Sequence, residues 1–156
     1  MTVSDRDAAT TEIENELTLL SRYHVHAKRA GFQLDRSAYL LLGRLELEHP
    51  LSLKQLAEAF RLDISTINRQ IGALLRLGLV ERVLDPDGGI ARKIEATALG
   101  LEQLHADRTL GRVGVERVVA EWSDHDLGEL CRLLTMFNGG IEGLEGSAWP
   151  RARRTR

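Results

Sequence analysis

Hydrophobic residues recur every three or four positions through most of this chain, the spacing of helices that bury one face. The first such run covers residues 11–29 and stops at Gly31. A second run begins after Asp35 and ends near Pro50, and its wider apolar face indicates deeper burial. The chain is therefore predicted to begin with two amphipathic helices.

Two shorter helices are predicted next. Ser52 and Gln55 have the spacing of a capping box, which marks a helix start. Residues 61–63 are predicted to form a turn, and the next helix to begin at Ile64. Gly78 is predicted to end it, because glycine is common just after the last turn of a helix. The stripe of this second helix that is predicted to face the core comprises Ile64, Ile67, Ile71, Leu74 and Leu75.

The pattern then changes to that of strands. Residues 79–84 and 90–96 are β-prone, and the turn sequence DPDGG separates them. Thr97 is predicted to cap a long helix, and Ser123, with Asp126 three positions later, to begin the last helix. Two short helices, a hairpin and a long helix, in this order, are typical of a winged helix-turn-helix.

The predicted fold is mainly α (α+β), a single domain over residues 1–156. Residues 36–97 form its winged helix-turn-helix lobe. The helices within 8–34 and 98–146 have wide apolar faces that the remaining chain is too short to cover, so we expect a second copy to bury them in a homodimer. Residues 147–156 are predicted to be a flexible basic tail.

Charge is distributed unevenly along the chain. The formal net charge is only −2, so no global basic field indicates nucleic acid. Locally, residues 1–20 have one cation and five acids, residues 51–93 have seven cations and five acids, and residues 151–156 have four arginines. The single cysteine excludes an internal disulfide, and the acidic N-terminus does not resemble a signal peptide, so a cytosolic protein is expected.

The second helix of the pair has the composition of a recognition helix. Serine and threonine near a helix start can contact phosphates, arginine can pair with guanine, and asparagine or glutamine can pair with adenine. Alone, such a face is more often a solvated surface, but the neighbouring helix and hairpin favour DNA binding. The predicted contacts are Ser65, Thr66, Asn68, Arg69 and Gln70.

The hairpin offers further candidate contacts. Arg82, Arg92 and Lys93 lie on its arms, where they can reach phosphates or a minor groove, although ordinary exposed strand charges explain them equally well. The aspartates at its tip resemble the start of a calcium loop, but Ala96 stands where that loop needs a bidentate glutamate. A β-turn is therefore favoured over a calcium site.

The segments SLKQLAEAF, STINRQIGALLRLGLVER and ATALG, placed around the hairpin, resemble the MarR family of bacterial transcriptional regulators over nearly the whole chain. The resemblance implies a recognition helix in the major groove, a wing on the minor groove or backbone, and a homodimer built by the first and last helices. It also implies a backbone contact for Arg76. The Asp-x-Arg usual at the wing tip reads Asp87-Gly88-Gly89 here, so wing contact is expected to pass to Arg92 or Arg82, or to be weaker.

The same resemblance implies a small-molecule effector. In the family, ligands bind between the dimer helices and the DNA-binding lobe. The candidates at that place in this chain are Tyr23, His24, Tyr39 and Arg44, and core packing accounts for the two tyrosines equally well.

Other chemistries are disfavoured. Ser123, Asp124 and His125 are adjacent in sequence, but a catalytic triad requires spatial geometry, and helix capping explains them. His24 and His26 diverge by about 200° around a helix, so they and the distant His105 are not expected to bind a metal. Cys131 lies near the apolar stripe of the last helix and is predicted to be a buried, unreactive thiol.

The sequence therefore predicts a sequence-specific DNA-binding regulator with no enzymatic activity and no cofactor. More finely, it predicts a ligand-responsive repressor that binds a pseudo-palindromic operator as a homodimer. Two alternatives remain: a metal- or redox-responsive regulator of the same fold, and a winged-helix protein-interaction module. The last would lack the steep salt dependence that phosphate contacts give to DNA binding.

Overall fold

The computed structural model describes residues 3–25, 31–48, 50–90 and 92–151, and in 23–25 the backbone only. It confirms the predicted class, since these ranges are mainly helical with one small antiparallel hairpin. The elements are α1 Val3–Val25, α2 Arg36–Leu47, α3 Leu53–Phe60, α4 Ile64–Arg76, β1 Val80–Val83, β2 Lys93–Ala96, α5 Ala98–Val118 and α6 Asp124–Glu145.

The hydrophobic core lies where α2, α3 and α4 meet the hairpin. Leu42 and Leu45 of α2, Leu56 of α3 and Ile67 of α4 are fully buried there. Ile94 of β2 closes the core and also pairs with Leu51, whose backbone exchanges two hydrogen bonds with it (2.7 and 3.0 Å). The pairing of Leu51, just before α3, with Ile94 thus holds the hairpin against α3 and α4.

The start of α5 is locked to the end of the helix-turn-helix. The Thr97 hydroxyl accepts a hydrogen bond from Gly100 N (3.1 Å), as a helix N-cap does, and donates to the Gly78 carbonyl (2.7 Å). Gly100 itself lies against Leu79, and a Cβ there would collide with the Leu79 carbonyl and come within 3.0 Å of Leu42 Cδ2. Within the ATALG segment, Thr97 and Gly100 therefore fix the start of α5 against the residues that follow α4.

A buried carboxylate ties α5 to the segment before α2. Asp107 is fully buried, and its two oxygens accept hydrogen bonds from the backbone N–H groups of Gln33 (2.9 Å) and Leu34 (2.8 Å). Buried polar groups are retained only when they have such partners. Asp107 thus attaches the residues just before α2 to α5.

Helices α1 and α6 are the least buried elements. Among the described residues neither helix has a buried side chain, and the apolar residues Ile13, Leu17 and Leu20 of α1 and Leu127, Leu134 and Phe137 of α6 are all exposed. The prediction that Cys131 is buried is wrong for the single chain, because α6 exposes its thiol along with the rest of that face.

Candidate nucleic-acid interface

Helix α4 is held by one face and leaves the other free. Ile67, Ile71 and Leu74 are buried, as the spacing predicted, and Leu75 packs partly against the core. Ile64 is the exception: it is 54% exposed, because it is the first residue of the helix and the buried stripe begins one turn later. The inward anchoring of α4 is therefore set by a three-residue stripe.

The turn before α4 is tight and fixed by the backbone. Arg61 ends α3 in the left-handed conformation (φ 52°), and its N–H bonds to the Glu58 carbonyl (3.2 Å). Leu62 N bonds back to Ala57 O (3.0 Å), and the Asp63 carbonyl accepts the first two N–H groups of the α4 ladder. This arrangement sets the angle between the two helices of the motif.

The residues of α4 that are predicted to contact DNA lie on its solvent-facing side. Ser65, Asn68 and Arg69 are exposed, and Thr66 and Gln70 are half-buried at its edges. Arg76, the predicted backbone contact, is exposed on the last turn of α4. The side chains nominated from the sequence thus form one continuous surface of hydrogen-bonding groups.

The wing is a two-stranded hairpin whose tip is held by hydrogen bonds to Asp85. Its strands pair from Val80 with Ala96 to Val83 with Lys93. Asp85 turns the chain: its side-chain Oδ1 accepts from Asp87 N (3.0 Å) and its carbonyl accepts from Gly88 N (3.0 Å).

Within the wing, Lys93 is held by the tip aspartates. Its ammonium lies 2.7 Å from Asp85 Oδ1 and 3.3 Å from Asp87 Oδ2, and only 12% of its side chain is exposed. The hydrogen bond between Lys93 and Asp85 raises the pKa of Lys93 and lowers that of Asp85. The structure therefore places Lys93 inside the wing, whereas Arg82 and Arg92 are exposed on its arms.

The four effector candidates do not form one site in the described part of the chain. The side chains of Tyr23 and His24 lie outside it. Tyr39 packs partly against the core, on the side of α2 that faces Arg108 of α5. Arg44 is buried on another side of α2, where its Nη2 pairs with Glu48 (2.6 Å).

Arg44 lines a surface cavity of about 700 Å³ between α2, α3 and the segment after α6. The Trp149 ring stacks on Arg44, whose guanidinium lies 4.9 Å from the ring centroid, and the Phe60 ring packs edge-on against it at 5.1 Å. Beneath the indole, Arg44 Nε and Nη1 are buried without a hydrogen-bond partner. No signal in the sequence indicated this contact, because a tryptophan after a glycine-rich helix end resembles a loose tail.

The first part of the predicted flexible tail is thus packed. Arg151 forms two hydrogen bonds with the Glu142 carboxylate (2.5 and 3.1 Å), which lower the pKa of Glu142, and Arg61 donates to the Glu145 carbonyl. We name residues 147–151 the C-terminal strap. It joins the end of α6 to the helix-turn-helix.

Other candidate chemistries find no support in the described ranges. No cluster of three or more metal-ligating side chains occurs there, and His26 lies outside them. Ser123 caps α6 by accepting from Asp126 N (3.1 Å), as predicted. His105 pairs with Glu46 (2.5 Å).

No described helix is both long and apolar enough to span a membrane.

Comparison with known proteins identifies relatives of this arrangement. A family model described as "MarR family" matches residues 32–89. The uncharacterized HTH-type transcriptional regulator YxaD of Bacillus subtilis is 39% identical over 130 residues, which cover 81% of this chain and 90% of that protein.

Solved structures share the fold. A MarR family protein from Bacillus stearothermophilus superposes with a TM-score of 0.77 at 18% identity, over 86% of this chain and 96% of that one. A point mutant of S. aureus MepR, solved bound to an oligodeoxyribonucleotide, superposes with a TM-score of 0.57 at 19% identity, over 83% and 97% of the two chains.

Proposed function

Since the chain belongs to the MarR family of transcriptional regulators, we propose that it is a ligand-responsive repressor that binds a pseudo-palindromic operator as a homodimer. The observation that carries the proposal is the division of α4 into a buried stripe and an exposed polar face. A surface helix that is held so firmly, and is polar outward, suits insertion into a major groove. The DNA-bound structure of the MepR mutant supports this use of the fold.

On this proposal, base reading falls to Asn68, Arg69 and Gln70. Arginine pairs in bidentate fashion with guanine O6 and N7, and the amide side chains pair with adenine. Ser65 and Thr66, at the start of α4, contact phosphate together with the free N–H groups of the first helical turn.

On this proposal, further contacts to DNA come from the last turn of α4 and from the wing. Arg76 contacts the backbone, and Arg82 and Arg92 contact phosphates beside the wing. Lys93 is already paired with Asp85 and contributes mainly by keeping the wing rigid.

The homodimer accounts for the exposed faces of α1 and α6. Large contiguous apolar surfaces on a single chain mark interaction sites. A two-fold axis through these helices would set two copies of α4 about 34 Å apart, the spacing of half-sites one helical turn apart.

An effector would act where the lobe meets the helices that we assign to the dimer. The cavity beside Arg44 is one such place, since it is lined by residues of α2 and α3 and by Ser147 of the C-terminal strap. The unpartnered N–H groups of Arg44 favour an anionic ligand that displaces Trp149. Ligand binding would then change how α6 sits against the helix-turn-helix.

The test of DNA binding is a footprint on the DNA beside the protein's own gene, with affinity measured against salt. A regulator of this kind protects two half-sites and loses affinity steeply as salt rises. A protein-interaction module would protect nothing and show no such slope.

Arg69→Ala tests the assignment of base readers. We expect a loss of about 1–3 kcal/mol on the selected operator and a flattened preference at one base position. Arg76→Ala is the matched control, since a phosphate contact weakens all sequences alike. If Arg69→Ala lost equal affinity for operator and for random DNA, Arg69 would be a phosphate contact and not a base reader.

A further inference from the structure

At the tip of the wing, the position where the family resemblance places a cation is crowded by the Asp85 carboxylate. A Cβ on Gly89 would lie 2.5 Å from Asp85 Oδ2 and 3.2 Å from its Cγ. The Asp85 carboxylate is fixed in that position by Lys93 and by the N–H of Asp87. An arginine at position 89 would therefore have to displace a paired carboxylate.

Two large apolar side chains project near the tip, beside the exposed Asp87, whose carboxylate lies 3.3 Å from the Lys93 ammonium. Ile90 is fully exposed (103%) and Leu84, on the opposite arm, is 75% exposed. Both lie just outside the paired strands, which end at Val83 and begin again at Lys93. Two large aliphatic groups are thus presented to solvent, close in sequence to the exposed arginines of the arms.

The charge of the wing does not oppose contact with DNA. Residues 82–93 have three cations against two carboxylates, and the most buried cation neutralises a tip carboxylate. The exposed arginines flank the tip and can each meet a phosphate. What the tip itself can gain from DNA is burial of apolar area, which is independent of counterion release.

We propose that Ile90, supported by Leu84, is an apolar wedge that enters the minor groove of the operator in place of the missing arginine. The proposal rests on the DNA-binding function proposed above. Apolar wedges of this kind partly unstack a base step and bend the duplex. They are hindered by the amino group that guanine places in the minor groove, so the wedge selects A·T pairs beneath the wing.

The experiment uses the full-length protein and a short duplex selected by it from a random library. Dissociation constants are measured by filter binding at several salt concentrations for wild type and Ile90→Ala. We expect about fivefold to twentyfold weaker binding with an unchanged salt slope, since only apolar burial is lost. Ile90 is fully solvent-exposed, so the fold should remain intact, as thermal unfolding will verify.

Matched variants separate the wedge from other effects. Leu77→Ala removes an aliphatic side chain that is 65% exposed at the end of α4 and should bind as wild type does. Arg82→Ala and Arg92→Ala should each lower the salt slope by about one, because each loses a phosphate contact.

Base substitution beneath the wing tests where the contact is made. Replacing A·T by G·C there should weaken wild-type binding, whereas inosine·cytosine, which lacks the guanine amino group, should restore it. In Ile90→Ala the three duplexes should bind alike.

The wedge is refuted if Ile90→Ala binds as tightly as wild type, or if it lowers the salt slope, which would indicate a disturbed ionic contact. A change in sedimentation without a change in DNA affinity would reassign the tip to a contact between copies of the chain. If wild type selects no duplex at all, the proposed DNA-binding function fails first, and that result is distinct from failure of the wedge.

Discussion

Asp107 shows how much a single buried residue decides in this fold. It joins residues that are more than 70 positions apart, through two hydrogen bonds to backbone N–H groups that would otherwise be unsatisfied in a dry environment. Nothing in the local pattern of α5 marks it, because an aspartate on a charged helix is usually solvated. Its role appears only once the segment before α2 is laid against α5.

Asp107→Asn should destabilise the protein by about 1–3 kcal/mol, because one acceptor oxygen is replaced by a donor that faces a backbone N–H. The free energy of unfolding from urea titration measures the loss. Glu102→Gln, on the exposed side of the same helix, is the control and should be nearly neutral. Equal stability of both variants would mean that the Asp107 contacts are dispensable.

Glu46 gives the same junction a dependence on pH. Partial burial pushes the pKa of Glu46 up, but hydrogen bonds from Arg108 (2.8 Å) and His105 (2.5 Å) outweigh it and hold the pKa below its ordinary value. The contribution to stability is therefore complete above the unfolded-state pKa of about 4.3 and is lost as the pH falls through the lower folded-state pKa.

Glu46→Gln tests this dependence. Both basic partners are about half exposed, so solvent screening should keep its cost at neutral pH to about 1 kcal/mol or less. The difference in unfolding free energy between wild type and variant should shrink as the medium becomes more acidic than about pH 4.3. A difference that stays constant across that range would show that Glu46 acts through packing alone.

At the scale of elements, the junction between the wing and α5 is closely packed and hydrogen-bonded. Thr97 caps α5 and also reaches back to the carbonyl that follows α4, while Gly100 lies against the Leu79 carbonyl. The end of α4, the start of β1 and the start of α5 are thereby joined within a few residues.

Gly100→Ala should cost about 1–3 kcal/mol or more, because the added methyl meets a backbone carbonyl that cannot turn aside. Thermal unfolding measures the cost. Gly43→Ala is its control: position 43 is in mid-helix with open space around the new Cβ, so about 0.5–1 kcal/mol of stabilisation is expected. Stabilisation by both substitutions would contradict the close packing at Gly100.

The elements themselves were largely predictable, because local signals encode them. The capping pairs at Ser52 and Ser123 and the stripe Ile67, Ile71 and Leu74 lie within one helix and are visible as spacing. Contacts made by distant residues were not predictable. The pairing of Lys93 with Asp85 depends on the strand register, and the packing of Trp149 depends on the length and direction of α6.

At the scale of the whole molecule, α1 and α6 expose the apolar faces that the proposed dimer would bury. A chain lacking residues 1–30, or one ending before Ser123, should lose the dimer and most operator affinity while its helix-turn-helix stays folded, because two coupled half-sites bind far more tightly than one. Analytical ultracentrifugation and footprinting measure both effects. A full-length monomer at micromolar concentration that protects one half-site tightly would overturn the dimer proposal.

The packing of Trp149 has a consequence for how the molecule can be observed. The chain has two tryptophans: Trp122 is 46% exposed between α5 and α6, and Trp149 is stacked on Arg44 at the far end of α6. Indole emission shifts to longer wavelength when the ring enters water. With excitation selective for indole, a Trp122→Phe chain would therefore emit from Trp149 alone, and its spectrum would report opening of the contact between the C-terminal strap and the helix-turn-helix without any attached dye.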